Sequence, residues 1–475
     1  MNDERQKRTS LPECMTLRDV RTSIDEVDRR IVALLAERRG YALQAARFKS
    51  AADGVKDPSR EEQVIANVRA LAGEEGIEPD LVEMLYRDMI AGFVRVELAS
   101  GGHRAPPVIE NVNVAAFDAM LPPEEVKLRI PVSERAARTV VEGRRTVEAI
   151  LDRTDPRLLV VVGPCSIHDP VAGLDYAHRL RALADELSDT LYLVMRVYFE
   201  KPRTSVGWEG LTNDPHMNDS FQVKEGMERA RRFLLEVSDL GLPTGTEALD
   251  PISPHYRGDL VTWTAIGART SESQTHRNLA SGLSTPVGFK NGTDGEVDGA
   301  VNAILAAARP HAFLGINDQG RSAVIRTRGN RHGHLVLRGG GGRPNFDSVS
   351  VAIAEQALAK AGLPQTIVID CSHANSWKKP ELQPLVLRDV ASQLRQGNRS
   401  IAGIMLESFL EQGSQPMSAD PAQLRYGRSV TDPCLGWDET AAALREARSL
   451  LRGVVEERRR AADAPPSASP RAAAS

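Results

Sequence analysis

The sequence has 475 residues, 26% charged and 41% hydrophobic, which is typical of a folded protein of two or three domains. The formal net charge of −4 gives no reason to expect nucleic acid or a membrane surface as a partner. The four cysteines lie far apart, which favours a reducing compartment, and no signal peptide or membrane-spanning segment is predicted. We therefore expect a cytoplasmic protein.

Residues 1–15 are predicted to be a polar tail, and residues 16–100 to form a domain of helices. Apolar residues alternate spacings of four and three from Val20 to Leu34, which predicts one long helix with a coiled-coil-like seam. Arg38 lies on this seam, where a charge is costly to bury without a partner. Lys49 falls on nearly the same face, so the two side chains could bracket one small dianion.

Two further helices are predicted, one from Asp57-Pro58 and one from Pro79-Asp80. Together the three helices resemble the all-α chorismate mutase family, whose members are intertwined dimers with a long first helix. The resemblance implies rearrangement of chorismate to prephenate. This reaction needs no acid, base or nucleophile, because orientation and fixed cations suffice.

The resemblance also implies roles for individual residues of the helical domain. Arg21 and Arg38 would hold the two carboxylates, with Arg21 reaching the partner protomer's site, and Lys49 would lie near the ether oxygen. The other matching positions are Arg60, Glu61 and Glu97. Many members have glutamine at the position of Glu97, so Glu97 would have to be neutral to donate a hydrogen bond. Mutase activity that rises toward acid pH is therefore expected.

Two alternatives for the helical domain are open. The same scaffold serves isochorismate-pyruvate lyases, and Pro12-Glu13-Cys14 with Ala45–Lys49 is similar to that branch. Alternatively, the helices are a non-catalytic sensor or dimerising module that binds chorismate or prephenate and regulates the rest of the chain.

Residues 101–128 are predicted to be a linker. Gly101-Gly102 and Pro106-Pro107 end the third helix, and Leu121-Pro122-Pro123 starts ordered chain again. Between them, Val108–Phe117 is apolar enough to pack as a strand on the next domain. Ser133–Leu151 then reads as an amphipathic helix.

Eight short apolar runs follow, which predict an α/β fold, a closed (β/α)8 barrel spanning residues 129–455. Each run ends in a charged or metal-binding side chain, at the edge where such barrels hold their active sites. These side chains are Cys165, Arg196, Glu247, Arg269, Lys290, Arg338, His373 and Glu407. Loops after strands are usually rich in Gly, Asn, Asp and Ser, so the pattern indicates one convergent site.

Six motifs of this region resemble the type I 3-deoxy-D-arabino-heptulosonate 7-phosphate (DAHP) synthases. They are Gly163–Asp169, Met195–Thr204, Gly267–Gln274, Gly288–Asp294, Ser372–Ser376 and Tyr426–Asp432. The resemblance implies condensation of phosphoenolpyruvate with erythrose 4-phosphate, the first step of the shikimate pathway to the aromatic amino acids. The chain is thus predicted to be a bifunctional enzyme, with chorismate mutase ahead of DAHP synthase.

The resemblance assigns the cations of the barrel to two anionic substrates. Arg269, Lys290 and Arg338 would hold phosphoenolpyruvate with help from Arg196 and Lys201, while Arg203 and Thr204 would take the phosphate of the aldose. Glu247 would be the carboxylate beside the attacking water, and Lys201 would protonate the new alkoxide.

A metal site is implied as well, with Cys165, His373, Glu407 and Asp432 as ligands. A thiolate, an imidazole and two carboxylates suit Mn²⁺, Fe²⁺, Co²⁺ or Zn²⁺ rather than Mg²⁺. Phe409 stands where relatives commonly have histidine and cannot transfer a proton.

The segment His311–Arg328 predicts a β-hairpin, and it matches an insertion that in relatives helps to form an amino-acid effector site. With Ser284 and Pro254 it would bind phenylalanine, tyrosine or tryptophan, and prephenate is a further candidate effector. The hairpin and Lys201–Thr204 disfavour a related barrel enzyme that makes an eight-carbon sugar acid from arabinose 5-phosphate. We expect a homodimer or tetramer, and a disordered tail over residues 456–475.

Overall fold

The structure is a computed structural model that describes residues 14–46, 57–100, 109–203, 207–418, 420 and 423–463. The chain divides into two compact units, Met1–Phe117 and Asp118–Ser475, and each is described by itself.

The first unit contains the three predicted helices, α1 (Leu17–Ala46), α2 (Pro58–Glu75) and α3 (Pro79–Ser100). The Asp57 carboxylate caps α2 by accepting a hydrogen bond from the Arg60 N–H, and Gly76 ends the helix in the left-handed conformation at φ 75°. Among the described residues of this unit, the buried apolar side chains are Ile65, Val68 and Ala72, all on α2. The internal core of the unit is therefore small.

The long helix α1 leaves its apolar seam in solvent within one chain. Val20, Ile24, Val27, Ile31 and Leu34 are between 39% and 62% exposed. A helix in water gains most of its stability by burying an apolar face. The α1 seam therefore contributes little burial to the stability of the helical unit.

The second unit is a closed barrel of eight parallel strands, in the ring order β1-β10-β9-β8-β5-β4-β3-β2, which confirms the predicted fold class. In chain order the strands are β1 (Leu158–Gly163), β2 (Leu191–Arg196), β3 (Thr244–Glu247), β4 (Trp263–Ile266), β5 (Val287–Lys290), β6 (Ala312–Ile316), β7 (Ser322–Arg326), β8 (Gly333–Leu337), β9 (Ile367–Asp370) and β10 (Ile401–Glu407). Strands β6 and β7 pair antiparallel outside the ring and form the predicted hairpin.

Helices lie between the strands and at both ends of the barrel. They are α4 (Pro123–Arg129), α5 (Glu134–Leu151), α6 (Pro170–Leu187), α7 (Val223–Asp239), α8 (Ser253–Arg257), α9 (Gln274–Ala280), α10 (Asp298–Ala307), α11 (Ser348–Lys360), α12 (Gln383–Arg395) and α13 (Trp437–Asp463). Val147 and Ile150 of α5 belong to the same buried cluster as Val161, Trp263 and Met405 of the strands. Helix α5 therefore packs against the interior side chains of the barrel.

Two predictions are wrong, a strand in the linker and the start of the C-terminal tail. Residues 109–117 contain no strand, and Ile109 and Phe117 are 89% and 79% exposed, because a strand needs a hydrogen-bonded neighbour and the described chain gives this segment none. The disordered tail does not begin at residue 456, because α13 continues to Asp463. Val455 is buried and Arg458 donates to the Asn398 carbonyl, which keeps these turns packed. Residues 464–475 lie outside the described chain.

We expect a buried histidine of β8 to make the fold sensitive to acid. His334 is 2% exposed, its Nδ1–H faces the His332 carbonyl at 3.1 Å, and its Nε2 accepts from the Trp263 indole at 3.1 Å. Burial lowers the pKa of His334 to about 4. A proton on Nε2 would face another donor, so the folded protein needs the neutral ring.

The unfolded chain takes up this proton near pH 6.5, whereas the folded chain does so only near pH 4. The stabilisation is therefore complete above pH 6.5, and up to about 3 kcal/mol is lost as the pH falls from 6.5 to 4. Urea unfolding at pH 7 and pH 4.5 should show a smaller loss in His334→Gln, whose amide can accept from Trp263. Equal losses in the two proteins would contradict this account.

Candidate active site

The ends of the strands bring the predicted site residues to one edge of the barrel. Arg196, Glu247 and Lys290 are the last residues of β2, β3 and β5, Glu407 is the last residue of β10, and Cys165 follows β1. The chain turns sharply after β1 at Gly163, where a Cβ atom would lie 2.6 Å from the Arg196 carbonyl oxygen. Only glycine permits this approach, so it sets the start of the Cys165 loop.

Three of the four predicted metal ligands cluster at this edge, and the fourth, His373, lies beside one of them. The donor atoms of Cys165, Glu407 and Asp432 all lie within 4.8 Å of one another. His373 Nε2 lies 3.9 Å from Glu407 Oε1. Cys165 is fully buried and Glu407 is 2% exposed, so water is largely excluded from their side of the site.

The orientation of His373 is fixed by groups behind it. Its Nδ1 lies 2.9 Å from Asp370 Oδ2 and 2.7 Å from the Ser372 hydroxyl. With Nδ1 held in this way, Nε2 is the nitrogen that faces Glu407. Metal-bound histidines in proteins commonly have a carboxylate partner of this kind.

Asp370 was not selected by the sequence analysis. It is the last residue of β9, is fully buried, and also lies 3.3 Å from Lys290 Nζ. Burial alone would raise its carboxyl pKa, but the charges of His373 and Lys290 hold the pKa of Asp370 well below its usual range. The sequence did contain a signal for Asp370. It is a carboxylate at the end of an apolar strand, three residues before the candidate ligand His373.

Arg196 holds one predicted metal ligand, Glu407, and the loop of another, Cys165, in place. It is 1% exposed, its Nη2 donates to Glu407 Oε1 at 2.9 Å, and its Nε donates to the Pro164 carbonyl at 3.0 Å. Its guanidinium lies 3.6 Å from the centre of the Tyr198 ring. Through these two hydrogen bonds Arg196 positions Glu407 and the Cys165 loop. Its contact with substrate stays a prediction.

The set of donor groups fits a divalent transition ion. Burial raises the pKa of the Cys165 thiol and the Glu407 charge raises it further, while Lys201 Nζ, 3.2 Å from the sulfur, opposes both. A bound divalent ion removes the thiol proton outright. Burial would raise the pKa of Asp432, but Lys378, Lys201 and His373 keep it below its usual value, so this ligand is ionised.

The remaining predicted barrel residues surround this centre. Glu247 is 6% and Lys290 3% exposed, Arg338 is half-buried, and Arg269 and Arg203 are exposed. Arg203 donates to the Trp208 carbonyl at 2.7 Å. Thr204 lies outside the described residues.

Asn291 is a second residue that the sequence analysis missed. It is fully buried, its Oδ1 accepts from the Arg338 N–H at 2.8 Å, and its Nδ2 donates to the Gly339 carbonyl at 3.2 Å. It therefore fixes the turn that carries Arg338. Its signal was its place directly after Lys290 in a motif already recognised.

The predicted residues of the helical unit are only partly described. Arg38 lies over the Phe93 ring at 5.0 Å, Arg60 donates to Gln63 Oε1 at 2.8 Å, and Glu61 lies 3.6 Å from Arg87. Arg21 is exposed on α1. Lys49 and the side chain of Glu97 lie outside the described part of the chain.

Comparison with known proteins identifies both units. The model of the DAHP synthetase I family matches residues 130–445. The chain belongs to the DAHP synthetase I family. A separate family model, chorismate mutase type II, matches residues 20–98, so a chorismate mutase domain precedes the DAHP synthase barrel.

Relatives of the DAHP synthetase I family align over nearly their whole length. The Tyr-sensitive phospho-2-dehydro-3-deoxyheptonate aldolase of Escherichia coli (strain K12) is 51% identical over 350 residues, 74% of this chain and 98% of that protein. The Phe-sensitive enzyme of the same strain is 52% identical over 338 residues, 71% of this chain and 96% of that protein. The solved structure of the phospho-2-dehydro-3-deoxyheptonate aldolase from Francisella tularensis SCHU S4 superposes with a TM-score of 0.70 at 42% identity and covers 73% of this chain and 100% of that one.

No helix in the described part of this DAHP synthase family member is long and apolar enough to cross a membrane.

Proposed function

We propose that the barrel site binds one divalent transition metal ion and condenses phosphoenolpyruvate with erythrose 4-phosphate. The observation that carries the proposal is the convergence of Cys165, His373, Glu407 and Asp432 in a site surrounded by cations. Mn²⁺, Fe²⁺, Co²⁺ and Zn²⁺ suit these ligands, and such an ion, when bound, acts as a Lewis acid on the aldehyde oxygen.

Three cations would bind phosphoenolpyruvate. Arg269 and Arg338 offer guanidinium forks that match phosphate and carboxylate oxygens. Burial lowers the pKa of Lys290 and the Asp370 charge opposes this effect, so the ion pair at 3.3 Å helps to keep the ammonium charged. Arg203 and Thr204 would take the phosphate of erythrose 4-phosphate, as the matching motif implies.

Two further residues would move protons. C3 of phosphoenolpyruvate attacks the aldehyde carbon, water adds to the cationic C2, and phosphate leaves. Lys201 would protonate the new alkoxide: burial would lower its pKa, but Cys165 and Glu407 keep the pKa of Lys201 above its usual value, so it carries the proton at neutral pH. Glu247, buried at the end of β3, would take the proton of the attacking water.

We propose that the helical domain acts as a chorismate mutase in a homodimer. Arg38 and Lys49 would bind the dianion, Arg21 would reach the partner's site, and Arg60, Glu61 and Glu97 would complete it. The exposed α1 seam supports this proposal, because a second copy of the chain would cover its apolar side chains. Lyase activity on isochorismate and a purely sensory role are the competing hypotheses.

The hairpin supports a feedback site on the barrel. A cavity of about 380 Å³ lies beneath it, lined by Phe313 and Ile325 of the hairpin and by Pro254, Ser284 and Glu247 of the barrel. Because Glu247 also belongs to the proposed active site, a ligand bound in this cavity would change the rate of condensation. An aromatic amino acid, with an apolar ring and two charged groups, is the effector we propose.

Two observations support the proposed cytoplasmic location and oligomeric assembly of the protein. Cys165, Cys371 and Cys434 are free buried thiols, which suits a cytoplasmic location. The α1 seam suits a homodimer, with a tetramer as the larger assembly.

Replacing Cys165 should abolish metal binding and condensation together. The wild type loaded with Mn²⁺ should form DAHP and inorganic phosphate in equal amounts, and only when both substrates are present. Cys165→Ala should lower both the bound metal, measured by atomic absorption, and the turnover by more than about 100-fold. Such a loss exceeds that expected for a residue that only orients a metal ligand. Cys14→Ala is the matched control and should keep both. Metal-stimulated turnover in Cys165→Ala would defeat the ligand assignment.

Replacing Arg38 should remove the mutase reaction. Full-length protein incubated with chorismate should yield prephenate by chromatography, and Arg38→Ala should be slower by about 10²- to 10³-fold because it loses a fixed cation. Arg39→Ala, an exposed neighbour on α1, is the control. Activity should rise toward acid pH, and Glu97→Gln should flatten that profile. Salicylate and pyruvate from isochorismate would favour the lyase, and no product from either substrate would leave a sensor.

Shortening one hairpin side chain should relieve feedback inhibition. Phenylalanine, tyrosine and tryptophan are assayed singly, and at least one should inhibit condensation. Phe313→Ala removes an aromatic wall of the cavity and should raise the inhibitory concentration about tenfold or more, with kcat unchanged when no effector is present. Leu314→Ala, on the other face of β6 and 85% exposed, should behave like the wild type. Equal inhibition of both variants would place the effector elsewhere.

A further inference from the structure

A second cavity lies at the opposite end of the barrel from the candidate active site. Its volume is about 240 Å³. We call it the amino-face pocket and define it by Ile150, Arg153, Arg157, Arg399, Ala402 and Arg458. It is built where α5 ends and where β1 and β10 begin, with one wall from α13. Six residues of β10 separate its wall from Glu407, or about 20 Å.

The pocket contains more cations than its carboxylate can balance. Asp155 also lines it, but both of its oxygens are engaged by Arg157, at 3.0 Å and 2.6 Å. Within the described residues, Arg153, Arg399 and Arg458 form no ion pair with a carboxylate. Three guanidinium groups therefore share a concave site with no negative charge assigned to them.

The protein holds two of these arginines in place by neutral groups. Arg153 donates to the Gln365 carbonyl at 2.8 Å, and Arg458 donates to the Asn398 carbonyl at 3.0 Å. Arg153 also has the left-handed backbone conformation, φ 61°, which is unusual for a long side chain. Burial lowers the pKa of Arg458, and the charges of Arg399 and Arg153 lower it further, so the three groups repel one another.

The floor of the pocket is apolar. Ile150 and Ile401 are buried, and Ala402 lies at a bulge where the pairing of β10 with β9 shifts between Ile401 and Gly403. An apolar floor below a few convergent charged groups is the usual construction of a small-molecule site. Arg458 is half-buried, whereas Arg153 and Arg399 are exposed at the pocket. Guanidinium forks bind anions with two oxygens in one plane, such as phosphate and carboxylate.

We propose that the amino-face pocket binds a compact dianion, a phosphate monoester or a dicarboxylate. Such a ligand relieves the repulsion among Arg153, Arg399 and Arg458, and its carbon skeleton covers Ile150 and Ala402. The site is separate from the proposed condensation and effector sites, since none of its residues belongs to the candidate metal centre or lines the hairpin cavity.

The test is calorimetric titration of the full-length protein at low ionic strength. Inorganic phosphate or succinate is the titrant. Phosphoenolpyruvate is left out because, as a phosphate monoester, it would itself occupy the pocket, and the binding that Arg399→Glu weakens is assigned to the amino-face pocket. The wild type should bind at least one of them saturably, and the anion that binds identifies the ligand as phosphate-bearing or dicarboxylic. Arg399→Glu should weaken this binding at least tenfold, while Arg452→Ala, an exposed α13 arginine paired with Glu456, should not change it.

A melting curve without anion separates binding from folding. Arg399→Glu gives Arg458 a carboxylate partner, so its melting temperature should equal or exceed that of the wild type. If Arg399→Glu does not fold, the double variant Arg399→Ala/Arg458→Ala provides the same comparison. The proposal is overturned if neither anion binds the wild type saturably, or if the variant that folds binds as tightly as the wild type.

Discussion

The buried ion pair between Arg196 and Glu407 is the interaction on which the barrel site depends. The two side chains are 1% and 3% exposed, and they join β2 to β10 across the neighbouring strand β1. The same guanidinium holds the Pro164 carbonyl, and hence the loop of Cys165. Removal of one partner from such a pair leaves an uncompensated buried charge, at a cost of about 3–5 kcal/mol. Contacts within the protein thus position Glu407 and the Cys165 loop, which carry two of the proposed metal ligands.

Charge is distributed differently at the two ends of the barrel. At the carboxyl end, the buried cations Arg196 and Lys290 are each matched by a buried carboxylate, Glu407 or Asp370. Arg269 and Arg338 are more exposed, and they are proposed to bind the anionic substrates. At the amino end, Arg399 and Arg458 have no such carboxylate among the described residues. Cations paired with carboxylates of the protein position neighbouring side chains, whereas cations without such partners in a cavity favour the binding of an anion.

The two units differ in how they are stabilised. The barrel buries apolar side chains on both faces of its strands, with α5 packed against the interior. The helical unit buries Ile65, Val68 and Ala72 and leaves the seam of its longest helix in solvent. Its stability is therefore expected to depend on association, and so on protein concentration. The chain thus joins a DAHP synthase barrel with a large apolar core to a chorismate mutase domain with a small one.

Local patterns in the sequence determine much of the fold. Apolar runs of strand length identified the eight strands, the order of the motifs identified the family, and the pattern of His311–Arg328 identified the hairpin. These features depend on neighbours in the chain, so sequence order carries them. The same reasoning failed for residues 109–117 and for the last turns of α13, where packing against distant segments decides.

The tertiary structure alone decided which side chains act on one another. Arg196 and Glu407 are 211 residues apart in the chain, yet they pair at 2.9 Å. The support of His373 by Asp370, the clamp of Asn291 on Arg338 and the meeting of Arg153, Arg399 and Arg458 arise in the same way. Closure of a barrel brings the ends of all eight strands together whatever their distance in sequence. The sequence by itself determined the residue types and the strand ends, while ring closure determined their partners.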